Sequence, residues 1–136
     1  MTIKEFINKV YLIGSLLEDI SYDKAANIVC LEIDFCYWQQ SSFEDGEKET
    51  GIVLIEFSNC SNCTYDNYKI NSDEIVKVEL LDNSINICVE SDVTGSYHNI
   101  QICANNVNFI EKWKVWFLKI KKHQNYANSF DACVIC

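Results

Sequence analysis

The chain has 136 residues, of which 49% are hydrophobic, and a formal net charge of −9 without a single arginine. This length predicts one domain with one core, and the acidic balance argues against nucleic acid as a partner. The apolar runs are too short for a transmembrane helix, and the N-terminus lacks the long apolar run and cleavage site of a signal peptide. We therefore expect a cytoplasmic protein, not a membrane protein.

The N-terminal residues carry the pattern of a short helix. Thr2 and Glu5 have the spacing of a capping box. Apolar residues then recur at helical spacing, at Ile3, Phe6, Ile7 and Val10. The pattern predicts a helix from about residue 3 to 12, and Gly14 is a plausible end for it.

From residue 16 to 104 the hydrophobic period is two, which is typical of strands. Six strands are predicted, at about 16–22, 28–38, 52–57, 74–81, 85–89 and 97–104. Residues 39–50 and 58–72 are rich in polar residues and are predicted to be loops. Because no helix separates the strands, we expect a mainly β fold: an antiparallel β-sandwich or open barrel of about six strands.

The strand at 28–38 places carboxylates and thiols on the same side. Its odd-numbered residues are apolar and predict a core face, whereas Glu32 and Asp34 share the second face with Cys30 and Cys36. By the same alternation, Cys88 and Cys103 lie opposite the apolar face of their strands. We expect this second face to be half covered by the two terminal helices. In a reducing compartment the eight cysteines are expected to be packing residues, not disulfides.

The C-terminal part differs from the rest in charge and in period. Residues 1–111 hold nineteen acids and six lysines, a net charge of −13, and residues 112–136 hold five lysines and one acid, a net charge of +4, so that the sum is −9. An apolar stripe at helical spacing, Ile110, Trp113, Phe117 and Ile120, predicts an amphipathic helix at 109–123 that packs on the sheet. Residues 1–123 would then form one α+β domain, with 124–136 as a loose tail.

Two C-x-x-C pairs are the candidate metal or thiol sites. Cys60 and Cys63 could join Cys133 and Cys136 in a tetrahedral zinc site, although the long gap and the missing glycines are unlike those of zinc ribbons. A redox role would need a pair that opens a helix, and Cys60 lies in an Asn/Ser-rich stretch instead. The ending Cys133-Val-Ile-Cys136 also matches a prenylation signal, which leaves open a membrane-surface protein with a lipidated tail.

The two histidines give little support to catalysis. His98 could belong to a dyad, but no nucleophile motif accompanies it. His123 would end the predicted C-terminal helix, where a cation suits the helix dipole. We therefore expect a protein that is not an enzyme and needs no cofactor.

The acidic stretch between the second and third predicted strands is the candidate binding surface. Its spacing does not match the calcium ligands of an EF-hand. Aromatic anchors surrounded by carboxylates would suit a basic protein partner. The candidate contacts are Trp38, Phe43, Glu44, Asp45, Glu47 and Glu49.

The strand sequences also resemble a known group of proteins. The stretches LLEDISYD, VCLEIDFCYWQQ, TGIVLIEF, EIVKVELLDNSINICVES and GSYHNIQICA resemble small, uncharacterised bacterial β-rich proteins, some of which are similar to immunity proteins of polymorphic toxin systems. The resemblance covers about residues 12–104. Members often carry a His-Asp pair before the first strand, where this chain has Leu12-Ile-Gly-Ser15, so no functional residue is carried over. The resemblance implies a binding protein that neutralises a basic toxin domain by occlusion.

Overall fold

The structure is a computed structural model that describes residues 1–111 as one helix and six strands. They are α1 (Ile3–Lys9), β1 (Leu16–Asp23), β2 (Ile28–Cys36), β3 (Thr50–Tyr65), β4 (Asp73–Leu81), β5 (Ser84–Glu90) and β6 (Tyr97–Glu111). A 3₁₀ turn, Tyr37–Gln39, follows β2 directly, so that β2 ends two residues before the predicted end at Trp38.

The six strands form one antiparallel sheet in the order β1-β2-β3-β6-β5-β4, and the sheet closes into a barrel. Closure comes from a short pairing of β1 with β4, in which Leu16 lies opposite Glu74 and Leu17 opposite Asp73. The predicted mainly β, antiparallel fold of six strands with a short N-terminal helix is confirmed. Each of the six strands therefore pairs with two neighbours, although β1 and β4 pair with each other over two residues only.

The core fills the inside of the barrel, as the period-two pattern predicts. The odd-numbered residues of β2, Val29 to Phe35, are buried, and their partners Val53, Ile55 and Phe57 on β3 are fully buried too. The even-numbered residues of both strands, among them Glu32 and Glu56, point outward.

Helix α1 begins as predicted but is shorter and packs elsewhere. Both hydrogen bonds of the capping box between Thr2 and Glu5 are present, and the helix ends at Lys9, not at residue 12. Its fully buried Phe6 lies edge-on to Phe57, with ring centroids 6.5 Å apart. The helix therefore joins the inner core. The prediction that it covers the second face of the sheet is wrong.

None of the helices in residues 1–111 is long and apolar enough to cross a membrane.

Strands β3 and β6 are much longer than the sequence predicts. Residues 58–65, predicted to be a loop, continue β3 and pair with β6 from Ser58 opposite Asn106 to Tyr65 opposite Ile100. Residues 105–111 continue β6 and pair with the first part of β3, up to Glu111 opposite Val53. The helix predicted at 109–123 is therefore wrong for residues 109–111, which are strand. The remainder of that helix, His123 and the predicted tail 124–136 lie outside the described residues.

Candidate functional site

The strongest candidate surface is the β2–β3 connection, residues 37–49, which carries the predicted binding residues. Trp38 lies in the 3₁₀ turn and is 53% exposed. Phe43 is half-buried, and the four carboxylates predicted as contacts are all exposed: Glu44, Asp45, Glu47 and Glu49. The structure thus brings all six predicted residues into one segment at the surface.

Backbone hydrogen bonds close this connection into a compact loop. The Trp38 N–H donates to the Glu49 carbonyl oxygen over 3.2 Å, which joins the two ends of the loop. Within it, the Glu47 N–H donates to the Glu44 carbonyl oxygen, and the Glu44 N–H donates to the Glu47 carboxylate at 2.8 Å. These turns therefore restrain the backbone that carries the acidic residues.

A glutamine that sequence analysis did not single out fastens the connection to the barrel. The Gln40 side chain accepts a hydrogen bond from the Tyr11 N–H at 2.8 Å, and it donates to the carbonyl oxygens of Tyr11 at 2.8 Å and Cys36 at 2.9 Å. Tyr11 is itself 50% exposed. The clamp therefore holds two exposed aromatic residues, Trp38 and Tyr11, on neighbouring segments.

The residue before Trp38 anchors the connection to the core. The Tyr37 ring packs edge-on against Phe35, with centroids 5.0 Å apart. Burial and the neighbouring Glu111 carboxylate raise the pKa of Tyr37 to about 12, so its phenol stays protonated at neutral pH. Because Tyr37 packs on the core and the Gln40 side chain is hydrogen-bonded to Tyr11 and Cys36, Trp38 projects outward from a fixed backbone.

A second cluster surrounds His98 at the start of β6. Its Nδ1 lies 3.0 Å from an Asp66 carboxylate oxygen, and its ring stacks on Tyr68 at 3.7 Å with an interplanar angle of 4°. Burial and the nearby Asp73 carboxylate raise the pKa of Tyr68. His98 therefore lies between a carboxylate and a phenol that keeps its proton at neutral pH. Sequence analysis had named His98 but not Asp66 or Tyr68, which lie about thirty residues away in an irregular segment.

A pocket adjoins this cluster between β1 and the segment that follows β3. It measures about 270 Å³ and is lined by Glu18, Asp19, Ile20, Tyr65, Asp66, Asn67, Tyr68 and Ile70. Glu18 accepts a hydrogen bond from the Ser72 hydroxyl at 2.9 Å. Together with the His98–Asp66 pair, this bond fastens residues 66–72 across the barrel, which is a structural role.

The C-x-x-C pair of the described part, Cys60 and Cys63, consists of two free thiols with raised pKa values. Cys60 and Cys63 lie on β3, not in a loop and not at the start of a helix. Burial raises the pKa of Cys60, and burial together with Cys60 raises the pKa of Cys63 to about 12, whereas zinc binding and thiol exchange need the thiolate. No group of metal-ligating side chains comes together within residues 1–111. Cys133 and Cys136 lie outside those residues, so the four-cysteine site stays a prediction.

Comparison with known proteins gives a distant structural likeness. No protein-family model matches the chain, and no curated protein matches it. The crystal structure of an uncharacterized protein from Neisseria gonorrhoeae is similar to it, with 17% sequence identity and a TM-score of 0.44, over 74% of this chain and 94% of that chain. A likeness this distant assigns no function.

Proposed function

We propose that this protein is a non-enzymatic binding protein that engages a basic protein partner through the β2–β3 connection. The observation that carries the proposal is Trp38, a large aromatic side chain that is more than half exposed on an anchored segment with four exposed carboxylates. Tryptophan is enriched among the residues that dominate binding energy, and it loses little conformational entropy on binding.

The held geometry of the connection supports this role. Because Gln40 and the Trp38–Glu49 hydrogen bond already fix the backbone, less entropy is lost when a partner binds. The net charge of −13 over residues 1–111 would attract a basic partner over distance and speed association.

The specific form of the proposal is an immunity protein that neutralises a basic toxin domain by occluding it. It rests on the resemblance of residues 12–104 to proteins similar to such inhibitors, and on the acidic surface. The free thiols of Cys36, Cys60, Cys63, Cys88 and Cys103 support a reducing, cytoplasmic location. Neither a cofactor nor nucleic acid is part of this function.

The test is affinity capture from a lysate of the source organism with three immobilised forms of the full chain. The forms are the unaltered protein, Trp38→Ala and Tyr97→Ala. Tyr97 is a matched control because it is 63% exposed and lies at the start of β6, away from the connection in sequence. We expect a basic, stoichiometric protein to be captured by the unaltered protein and by Tyr97→Ala but lost from Trp38→Ala, and released at higher salt.

Two outcomes would overturn the proposal. One is a partner captured equally by Trp38→Ala, which would place the binding surface elsewhere. The other is capture of nothing but metal or lipid by the full chain, which would favour the alternatives that use the C-terminal cysteines.

A further inference from the structure

A second acidic surface lies on the outside of the barrel, and we call it the acidic face. It is formed by the outward side chains of four neighbouring strands, β1, β2, β3 and β6. In one row Asp19 lies opposite Glu32, Glu32 opposite Leu54, and Leu54 opposite Ile110. The rows beside it add further members: Cys30, Asp34, Ile52 and Glu56.

The acidic face has an apolar floor that is shielded from solvent. Leu54 is 6% and Cys30 is 4% exposed although both point away from the barrel interior. Their shielding does not come from helix α1, because Ile3 and Phe6 pack that helix into the inner core. An outward leucine is stabilised by a covering layer, since apolar area removed from water contributes about 25 cal/mol per Å².

The sequence supplies a segment with the matching chemistry directly beside this floor. Residues 112–122 contain all five lysines of the C-terminal part, interleaved with apolar residues: Trp113, Val115, Trp116, Phe117, Leu118 and Ile120. The segment starts two residues after Ile110, which is itself part of the acidic face. From Ile110 to Glu32 the separation is two strand spacings, roughly 10 Å, which a few residues of chain can span.

We propose that residues 112–122 dock on the acidic face, with their lysines beside the carboxylates of Glu32 and Glu56 and their apolar side chains over Leu54. The net charge of +4 on residues 112–136 complements the −13 of residues 1–111. The direct tether gives the segment a high effective concentration at this face, so it competes well against any free basic peptide. A segment of the same chain thereby covers the acidic face, and the β2–β3 connection remains the acidic surface open to a partner.

The direct test is zero-length carbodiimide cross-linking of the monomeric full chain, followed by peptide mass spectrometry. We expect lysines of 112–122 to be linked to Glu32, Asp34 or Glu56. Lys77 and Glu79, whose charged groups lie 3.1 Å apart on β4, provide an internal positive control for the reaction. A mixture of ¹⁵N-labelled and unlabelled chains distinguishes links within one chain from links between two.

Three results would overturn the proposal: links from these lysines to Glu44, Asp45, Glu47 or Glu49 instead, links only between labelled and unlabelled chains, or no such links while Lys77 and Glu79 react. The first result would also bear on the proposed function, because the β2–β3 connection would then be occupied within the chain, whereas the other two leave the Trp38 test unaffected.

Thiol accessibility gives an independent measurement on a full-length variant. In the variant with lysines 112, 114, 119, 121 and 122 replaced by Glu, we expect alkylation of Cys30 by iodoacetamide to become about tenfold faster, because the paired charges that hold the segment are lost. Cys88, half-buried on β5, should keep its rate. Core residue Cys60 reports on folding, since it is buried and reacts only if the barrel opens. Unchanged protection of Cys30 would contradict the proposal.

Discussion

Replacing Gln40 by Ala tests whether the candidate surface is held in place before a partner arrives. The side chain makes three hydrogen bonds, two to the backbone of Tyr11 and one to the Cys36 carbonyl oxygen, all between 2.8 and 2.9 Å. The alanine variant removes all three at once. It also leaves the Tyr11 N–H without its acceptor.

The magnitude follows from the exposure of these bonds. A hydrogen bond between neutral groups contributes about 0.5–1.5 kcal/mol net, and the two bonds to Tyr11 are exposed whereas the bond to Cys36 is partly buried. With the exposed bonds near the lower limit, we expect Gln40→Ala to lower the free energy of unfolding by about 2 kcal/mol.

Gln39→Ala is the matched control, because it truncates the neighbouring glutamine in the same way. The Gln39 Oε1 is buried with no hydrogen-bond partner in the described residues, so its removal should be neutral or stabilising. Urea unfolding gives the free energies, and hydrogen exchange measured by NMR gives the protection of the Tyr11 amide. Equal effects of the two variants, or unchanged Tyr11 protection in Gln40→Ala, would refute the clamp.

Three further predictions concern the barrel. Phe6→Ala should lower the free energy of unfolding by about 3–5 kcal/mol, because Phe6 is fully buried against Phe57; a urea midpoint within error of the unaltered protein would refute the inward packing of α1. Gly14→Ala should destabilise by about 1–3 kcal/mol, since Gly14 has φ +92° and an added Cβ would lie 2.7 Å from Gln39 Nε2; thermal unfolding measures it, and an unchanged Tm would contradict the strain. The pKa of Cys63 is raised from 9.0 to about 12, so between these pH values the folded chain holds a proton that the unfolded chain releases. The stabilisation is therefore full below pH 9 and is lost between pH 9 and 12. Urea midpoints should fall less across this range in Cys63→Ser than in the unaltered protein, and an equal fall in both would be inconsistent with burial of the thiol.

The elements that the sequence predicts well are those in which local chemistry and packing agree. The capping box of Thr2 and Glu5 forms as expected, and the alternation along β2 identifies its buried face correctly. These signals are local and strong, because a one-residue shift of register would move every apolar side chain of the strand into water.

The ends of β3 and β6 are missed because their partners are far apart in sequence. Residues 58–65 are mostly polar, yet six of these eight residues have a backbone partner on β6; tertiary pairing overrides weak propensity. Near the end of β6, Phe109 points inward and Ile110 outward. Two adjacent apolar residues on opposite faces of a strand look like the beginning of a helical stripe.

Barrel closure and the fastening of the site have no sequence pattern to reveal them. Alternation tells which face of β1 is buried but not that Leu16 pairs with Glu74 on β4. Likewise, the exposed acids of the β2–β3 connection are visible in the sequence, whereas the clamp between Gln40 and Tyr11 joins two irregular segments 29 residues apart.

The central claim is that the acidic β2–β3 connection recruits a basic protein, and the association rate of the captured partner tests it most directly. Stopped-flow rates at low and moderate salt would be measured for a variant with Gln at all four acids of the connection: Glu44, Asp45, Glu47 and Glu49. A control carries the same charge change on exposed or half-buried acids of β4, β5 and the turn between them: Glu74→Gln, Glu79→Gln, Asp82→Asn and Glu90→Gln. We predict association about tenfold slower than for the control at low salt, with a flatter salt dependence, because steering acts through charges close to the interface. Equal rates and equal salt dependence for the two variants would contradict the claim.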